Sequence, residues 1–396
     1  MPDNAPLIGV RVLELGQVIA GNYAGLLLAD LGADVVKIES PAGDPARNAA
    51  VAPLRGESAL HLTVNRGKRS MVVDLKADRG RELVHLLARR ADAVLDNLRP
   101  GVMERLGLDF ATLAGINPSI VCVSVSGFGQ SGPARDRPAF DLVIQALSGH
   151  MSITGEPGSQ PVRMGAPMAD LVGGMFGAFS VLAGLVSRGS TGRGRRVDVS
   201  MLDCLVSMLS YDATLFLNTG EQPERLGSGH AHIVPWQAFA TSDGHVAIAA
   251  RDERFWRALC DAIDRPELAD HPSAATNPQR VANREWVVSE LQAVLRRRCT
   301  ADWLRRFEAF DIPAAPVNDL TGAFSDPQVV ARAMVGTCDG LATGPYRFVH
   351  SPARFDGWDA PSIPPPRLGE HTRELLAELG LGKVAVEELF RAGIVA

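Results

Sequence analysis

Short apolar runs alternate with small-residue or amphipathic stretches through the first half of the chain. VRVLELG (Val10 to Gly16) has the continuous hydrophobicity of a buried strand, AGNYAGLLLADLG (Ala20 to Gly32) that of a small-residue helix, and ADVVKIE (Ala33 to Glu39) that of a second strand. This βαβ order predicts a parallel sheet, because two parallel strands need a crossover between them. NRGKRSMVVDL (Asn65 to Leu75) continues it as a turn entering a strand. GRELVHLLARRADAVLDNLRPGVMERLGL (Gly80 to Leu108) reads as helix, short strand and helix, SIVCVSVS (Ser119 to Ser126) as another strand, and VDVSMLDCLVSMLS (Val197 to Ser210) as a strand running into a helix.

From about Gly227 the texture changes. GSGHAHIVPWQAFATSDGHVAIAA reads as two short strands turning at Asp243-Gly244, a hairpin signal. Three amphipathic helices follow, ERFWRALCDAI, REWVVSELQAVLRRR and TADWLRRFEAF, and then a proline-rich segment that leads into a last helix. The expected layout is a sheet domain over residues 1–215, a smaller α+β domain over 225–325, and a C-terminal segment, 340–396, returning to the first domain.

Composition narrows the partners. With 396 residues, 46% of them hydrophobic, the chain can build two cores. A formal net charge of -5 and the absence of any Lys/Arg-rich run give no footprint for nucleic acid or an anionic membrane. The N-terminus lacks a basic and then apolar leader pattern, and no apolar run reads as long enough to cross a membrane, so a cytoplasmic protein acting on small molecules is expected. The 5 cysteines form no CxxC pair and read as buried thiols. His230 and His232 form an HxH pair, but no further ligand set accompanies them and no metal is expected.

Two carboxylates stand out, Asp141 and Asp170, each opening an apolar helical run. Each suits a helix N-cap. Asp170 also suits a nucleophile, since a carboxylate needs no general base to attack an activated carbonyl, and Gly173-Gly174 would let a bulky substrate come close. Gly16 to Gly21 has P-loop glycine spacing, but Asn22-Tyr23 replaces the Lys-Ser/Thr that would hold phosphates and Mg²⁺. Glu39 ends the second strand like a ribose-binding acid, although the first turn is not GxGxxG; a nicotinamide-dependent oxidoreductase is an alternative with that defect. Gly127 to Gly132 is a formal GxGxxG after a strand, yet prolines follow it, and it reads as a substrate-lining turn. Arg66, Lys68, Arg69, Arg99 and Arg105 cluster near predicted strand ends, where a polyanion could bind.

Almost the whole chain resembles the class III CoA-transferases, which include formyl-CoA transferase, carnitine CoA-transferase and, by divergence, α-methylacyl-CoA racemase. The resemblance rests on ordered segments: LIGVRVLELGQVIAG, LADLGADVVKIESPAGDPAR, NRGKRSMVVDLK, NLRPGVMERLGL, SVSGFGQSGP, FDLVIQALSGHMSITG, TGRGRRVDVSMLD, NPQRVANR, IPAAPVND and RLGEHT. It implies a Rossmann-like large domain built from both chain ends, a small α+β domain between them, and an interlocked homodimer. It implies Asp170 as the nucleophile that forms an aspartyl-CoA intermediate, with Asp141 in support; formyl-CoA transferases have Gln where this chain has Ile19, and Gln17, two positions earlier, is the candidate oxyanion donor. CoA thioesters are then substrates, with no tightly bound cofactor. The implied CoA contacts are Val18, Ile19, Ala20, Asn65, Arg66, Lys68, Asn97, Leu98, Arg99, Arg105, Pro138, Ala139 and Phe140. Ser40 stands where the family often has an adenine-packing Arg. Racemases of the family have a catalytic His where this chain has Phe140, so transfer is expected rather than the alternative of racemisation or isomerisation. The acceptor is expected to be a carboxylic acid such as succinate, glutarate or mesaconate, with His230 or His232 near its distal carboxylate.

Overall fold

The structure is a computed structural model that describes residues 4–48, 53, 54, 56–339 and 344–396. The expected segments 1–215 and 340–396 each include residues outside these. The described chain divides into two compact units. The first comprises the N-terminal portion up to Ser148, Gly165–Leu209 and Val330–Ala396; the second comprises Gly149–Met164 and Ser210–Val329.

The first unit is α/β. Its six parallel strands lie in the order Arg69–Val72, Asp34–Glu39, Arg11–Leu15, Ala93–Asp96, Val121–Ser126 and Arg196–Ser200. Successive strand residues point to opposite faces, and both faces are covered, which is why these strands read as unbroken apolar runs. On one face Leu13, Val36, Met71 and Val94 join Leu83 and Leu87 of helix Asp78–Ala88. The same core takes in Leu375, Leu376 and Leu389 from the C-terminal helices Thr372–Glu378 and Lys383–Arg391. On the other face Val12, Val35, Val123 and Val125 pack with helices Ala20–Asp30 and Met168–Thr191. The tail is also tied by main-chain bonds: His371 N donates to Ser70 O (2.9 Å) and Asp74 N to Ile394 O (2.8 Å). The tail holds two helices where the sequence suggested one, because Gly380, at φ +83°, ends the first.

The 24-residue helix Met168–Thr191 corrects the expectation that no apolar run is long enough to span a membrane, since by length and composition it is. Its apolarity has a local cause on one side: Ala169, Val172, Gly173, Gly177, Ala178, Val181 and Gly184 are buried along one stripe, while Asp170 lies in its first turn. Gly173 and Gly174 do not open a path for substrate, as the sequence suggested. A Cβ on Gly173 would meet Met201 Cγ at 2.9 Å, and one on Gly174 would meet Ala20 O at 2.7 Å and Tyr23 Cδ1 at 3.0 Å. The missing side chain of Gly174 lets helices Ala20–Asp30 and Met168–Thr191 touch, and that of Gly173 makes room for Met201.

The second unit is α+β. Strands Ala314–Pro316, His245–Ala249 and Trp236–Ala240 form an antiparallel sheet, with the hairpin turning through Asp243-Gly244. Helices Glu253–Ala262, Arg284–Leu295 and Thr300–Ala309 bring Trp256, Leu291, Trp303 and Phe307 into its core. Residues 149–164, read above with the N-terminal portion, belong to this unit, where Gly227 N donates to Gly155 O at 2.9 Å.

Replacing Gly174 with Ala should destabilise the protein by about 1–3 kcal/mol, because the backbone oxygen it meets is not free to swing away. Urea unfolding measures this, and an unchanged midpoint would refute the close-packed seam.

Candidate active site

The turn after the first strand is held from beneath by buried charge. Lys37, fully buried on the second strand, donates from Nζ to Gly16 O (2.7 Å), Asn22 Oδ1 (2.6 Å) and Glu14 Oε1 (3.1 Å), and pairs with Asp44 Oδ2 at 2.8 Å. Burial works against its charge, but the carboxylates of Glu14, Asp44 and Glu39 outweigh that and hold its pKa above the ordinary lysine value. Burial also opposes ionisation of Asp44, yet Lys37 and the hydrogen bonds it receives leave it at about 2. Asp44 in turn accepts from Val18 N (3.1 Å) and Asn22 Nδ2 (2.7 Å). Val18 sits at φ +60°, a costly conformation for a β-branched residue, and this network is what holds it there. Asn97 clamps the neighbouring residue from the other side: Gln17 N donates to Asn97 Oδ1 (2.7 Å) and Asn97 Nδ2 to Gln17 O (2.9 Å).

Neither aspartate caps its own helix. Helix Asp141–Leu147 has Phe140 at its N-cap and helix Met168–Thr191 has Pro167, so Asp141 is the first residue of one and Asp170 the third of the other. Asp141 instead reaches across: Oδ1 accepts from Ala169 N (2.8 Å) and Oδ2 from Gln145 Nε2 (2.7 Å). It thus satisfies a donor that the second helix leaves unpaired at its start. Among the described residues the Asp170 carboxylate has no hydrogen-bond partner. Burial, and secondly the nearby Asp141 charge, push its pKa up to about 7. The favourable field of a helix N-terminus is outweighed here by desolvation.

Asp170 lines a cavity of about 240 Å³ together with Gln17, Val18, Ile19, Asn97, Leu98, Arg99, Pro138, Ala139 and Phe140, all anticipated from the sequence. Ser126, which ends its strand, and Gly127 and Phe128 of the GxGxxG turn are part of the same wall. Arg135 and Arg137 also line it and were missed; their signal was two arginines in the Gly/Pro loop between that turn and Pro138. Ala20, at the start of its helix, is buried.

Four of the expected cations point elsewhere. Arg66 is buried against Asp30, Lys68 lies 2.6 Å from Glu14 Oε2, and Asn65 donates to the His61 ring and accepts from Lys68. Arg69 pairs with Asp34, Glu374 and Glu378, and Arg105 is exposed. Asn65, Arg66 and Lys68 therefore do not line the cavity: Asp30 and Glu14 draw the two cations away, and Asn65 is held by His61 and Lys68. Glu39 is likewise bound by Arg47 and Ser70, which removes the ribose-binding acid that motivated an oxidoreductase.

His230 and His232 lie in the second unit. The His230 ring accepts from His232 N at Nδ1 (3.0 Å), so in the neutral ring Nε2 carries the proton that faces Tyr211 Oη at 3.2 Å. Arg284 donates to the carbonyls of His230 and Ala231, each at 2.8 Å. His232 is exposed, with its ring edge-on to His230. Among the described residues no group of three or more His, Cys, Asp or Glu is placed to hold a metal ion.

The first unit is thus a parallel α/β fold in which a half-buried carboxylate, Asp170, shares a cavity wall with Arg99, Arg135 and Arg137. The sequence pattern of CoA-transferase family III matches residues 7–372, and the chain belongs to that family. It is 35% identical to the human (Homo sapiens) succinyl-CoA:glutarate CoA-transferase, over 100% of this chain and 91% of that one. It is 37% identical to the succinyl-CoA:mesaconate CoA-transferase of Haloarcula hispanica, over 94% and 96% of the two chains. Among solved structures, a CAIB/BAIF family protein from Brucella suis matches with a TM-score of 0.85 and 35% identity, over 95% of this chain and 100% of that one. The activity is that of an acyl-CoA:carboxylate CoA-transferase.

Removing the Lys37 amine tests the foundation of the site. Lys37→Met leaves Glu14 and Asp44 buried beside an apolar chain and should cost about 3–5 kcal/mol, read by denaturant unfolding. A loss below 1 kcal/mol, on that scale, would show that the network does not hold the turn.

Proposed function

We propose that the protein transfers CoA between a dicarboxylic acyl-CoA, such as succinyl-CoA, and a dicarboxylic acceptor of the glutarate or mesaconate kind, through Asp170. The observation that carries the reading is the position of Asp170: a half-buried carboxylate, without a hydrogen-bond partner among the described residues, in the wall shared by Gln17, Arg99, Arg135 and Arg137. The names of the relatives support the choice of acids.

The reaction balances without an external acid or base. An Asp170 oxygen attacks the thioester carbonyl, and the C–S bond breaks to release CoA thiolate and leave a mixed anhydride. The thiolate attacks the aspartyl carbonyl, expelling the donor as its carboxylate and leaving an aspartyl-CoA thioester. The acceptor carboxylate attacks that thioester, thiolate leaves again, and its return to the acceptor carbonyl regenerates Asp170. A pKa near 7 makes the Asp170 carboxylate more basic than an exposed one, and hence a stronger nucleophile once ionised. Gln17 is the proposed donor to the developing oxyanion, held by the Asn97 clamp. Arg99, Arg135 and Arg137 are suited to the anionic groups of CoA. Phe140, 74% exposed, supplies no base, which supports transfer over racemisation.

The proposed assembly is a cytoplasmic, interlocked homodimer with a large domain built from both chain ends and a small domain between them. It is supported by the outer side of helix Met168–Thr191, where Met175, Phe179 and Val186 are 50%, 64% and 79% exposed.

Incubation with succinyl-CoA followed by hydroxylamine or borohydride trapping should modify Asp170, seen by peptide mass mapping; no modification and no exchange across a donor panel would refute the reading. Asp170→Asn should lower transfer by about 10³-fold or more. Because only the ionised form attacks, kcat/KM should fall as pH drops below about 7. The same substitution should stabilise the fold. The folded pKa exceeds the unfolded carboxylate value of about 3.9, so the native state binds the extra proton between the two, and stability declines as pH rises through that window. At pH ~8 Asp170→Asn should gain on the order of 1–3 kcal/mol, a gain absent at pH ~4. Replacing His230 and His232 together with Ala should raise the acceptor KM several-fold while leaving the acyl-CoA KM unchanged; an unchanged acceptor KM would remove them from substrate recognition.

A further inference from the structure

Gln145 has no part in the scheme above, yet it is fully buried one helical turn below Asp141. Its amide Nε2 donates to Asp141 Oδ2 at 2.7 Å, while Asp141 Oδ1 takes the N–H of Ala169 at 2.8 Å. Ala169 is the residue immediately before Asp170, so three side-chain and main-chain groups from two helices form one chain of contacts ending at the nucleophile. A buried glutamine in a largely apolar helix has to satisfy its polar atoms, and a carboxylate with two fixed donors cannot rotate. We propose that Gln145 is a positioning residue for the transfer reaction, locking the Asp141 carboxylate in the orientation that aims Asp170 and keeps a negative charge beside it. The proposal rests on the reading of Asp170 as nucleophile.

The charge matters as much as the aim. Asp170 carries charge before attack and is an uncharged acyl derivative, anhydride or thioester, during the covalent steps, so a like charge beside it opposes the resting state and is relieved as the bond forms. Asp141 supplies that charge from the preceding helix. The other charged groups at this wall are Arg99, Arg135 and Arg137, whose opposite sign would favour the resting carboxylate. A lock that prevents Asp141 from swinging toward those cations keeps its field on Asp170. The covalent chemistry itself is unchanged: Gln145 gains and loses no bond to substrate.

The test uses Gln145→Met, close in volume and unable to donate, with Asp141→Asn and the double variant beside it. Each is assayed as full-length protein for kcat, the KM of succinyl-CoA, the pH dependence of kcat/KM, and melting temperature. Gln145→Met should lower kcat about tenfold or more, leave the succinyl-CoA KM within about twofold, and move the acid limb to lower pH. Asp141→Asn should move that limb in the same direction, and Gln145→Met should add little in its background, since both act through one charge. An unshifted limb with unchanged kcat in a folded Gln145→Met protein overturns the proposal, as do independent, additive losses in the double variant. If Gln145→Met fails to fold, the Asp141→Asn protein with and without Gln145→Glu carries the comparison, and an acid limb unmoved by Asp141→Asn overturns it. Trapping on the unmutated protein separates the two readings. Absence of label at Asp170 refutes the nucleophile assignment, whereas label at Asp170 with an insensitive Gln145 refutes only the positioning role.

Discussion

One buried amine organises this molecule's functional end. Lys37 Nζ meets two carboxylates, one amide oxygen and one main-chain carbonyl, each on a different segment of the first unit. An unpaired charge at full burial is prohibitively costly, so the segments must converge on Lys37 together or not at all. The turn carrying Gln17 and Val18 inherits its shape from that demand. Lys68 extends the network through Glu14, and burial pulls its pKa down to about 8, the cost of placing a second cation there. The helix makes room for the shared carboxylate at Gly25, where a Cβ would lie 1.7 Å from Glu14 Oε2.

The same economy shapes the opposite wall. Helices Ala20–Asp30 and Met168–Thr191 approach so closely that glycine is required where they touch, at Gly174. Its start is then stabilised by a carboxylate borrowed from another helix rather than by its own cap. Asp170, three residues beyond the cap, sits in a desolvated place with no hydrogen-bond partner among the described residues. The stability given up there is offset by the charge network and the sheet core.

Much of the fold was legible because it follows from local pattern. The six sheet strands are apolar runs bounded by turns, and the second unit's hairpin and three helices announced themselves by Asp243-Gly244 and by amphipathic spacing. The site was legible in part. Gln17 to Ile19, Asn97 to Arg99, Pro138 to Phe140 and Asp170 do share one wall. The cations were the least legible, since a lysine or arginine in sequence does not declare its partner: Arg66 and Lys68 look like ligands for phosphate until Asp30 and Glu14 are seen beside them. Arg135 and Arg137 were hidden in a loop whose course no periodicity predicts.

The sequence by itself determined the class of architecture and the family, because hydrophobic periodicity and ordered motifs are properties of neighbours along the chain. Tertiary structure alone decided what each charged group does. Asp141 holds the start of a helix 28 residues away, Glu39 serves Arg47 rather than a ribose, and the glycines after Asp170 serve a helix contact rather than a ligand. The reason is physical: burial and the nearest opposite charge set the state of an ionisable group, and both are properties of the packed chain, not of its order.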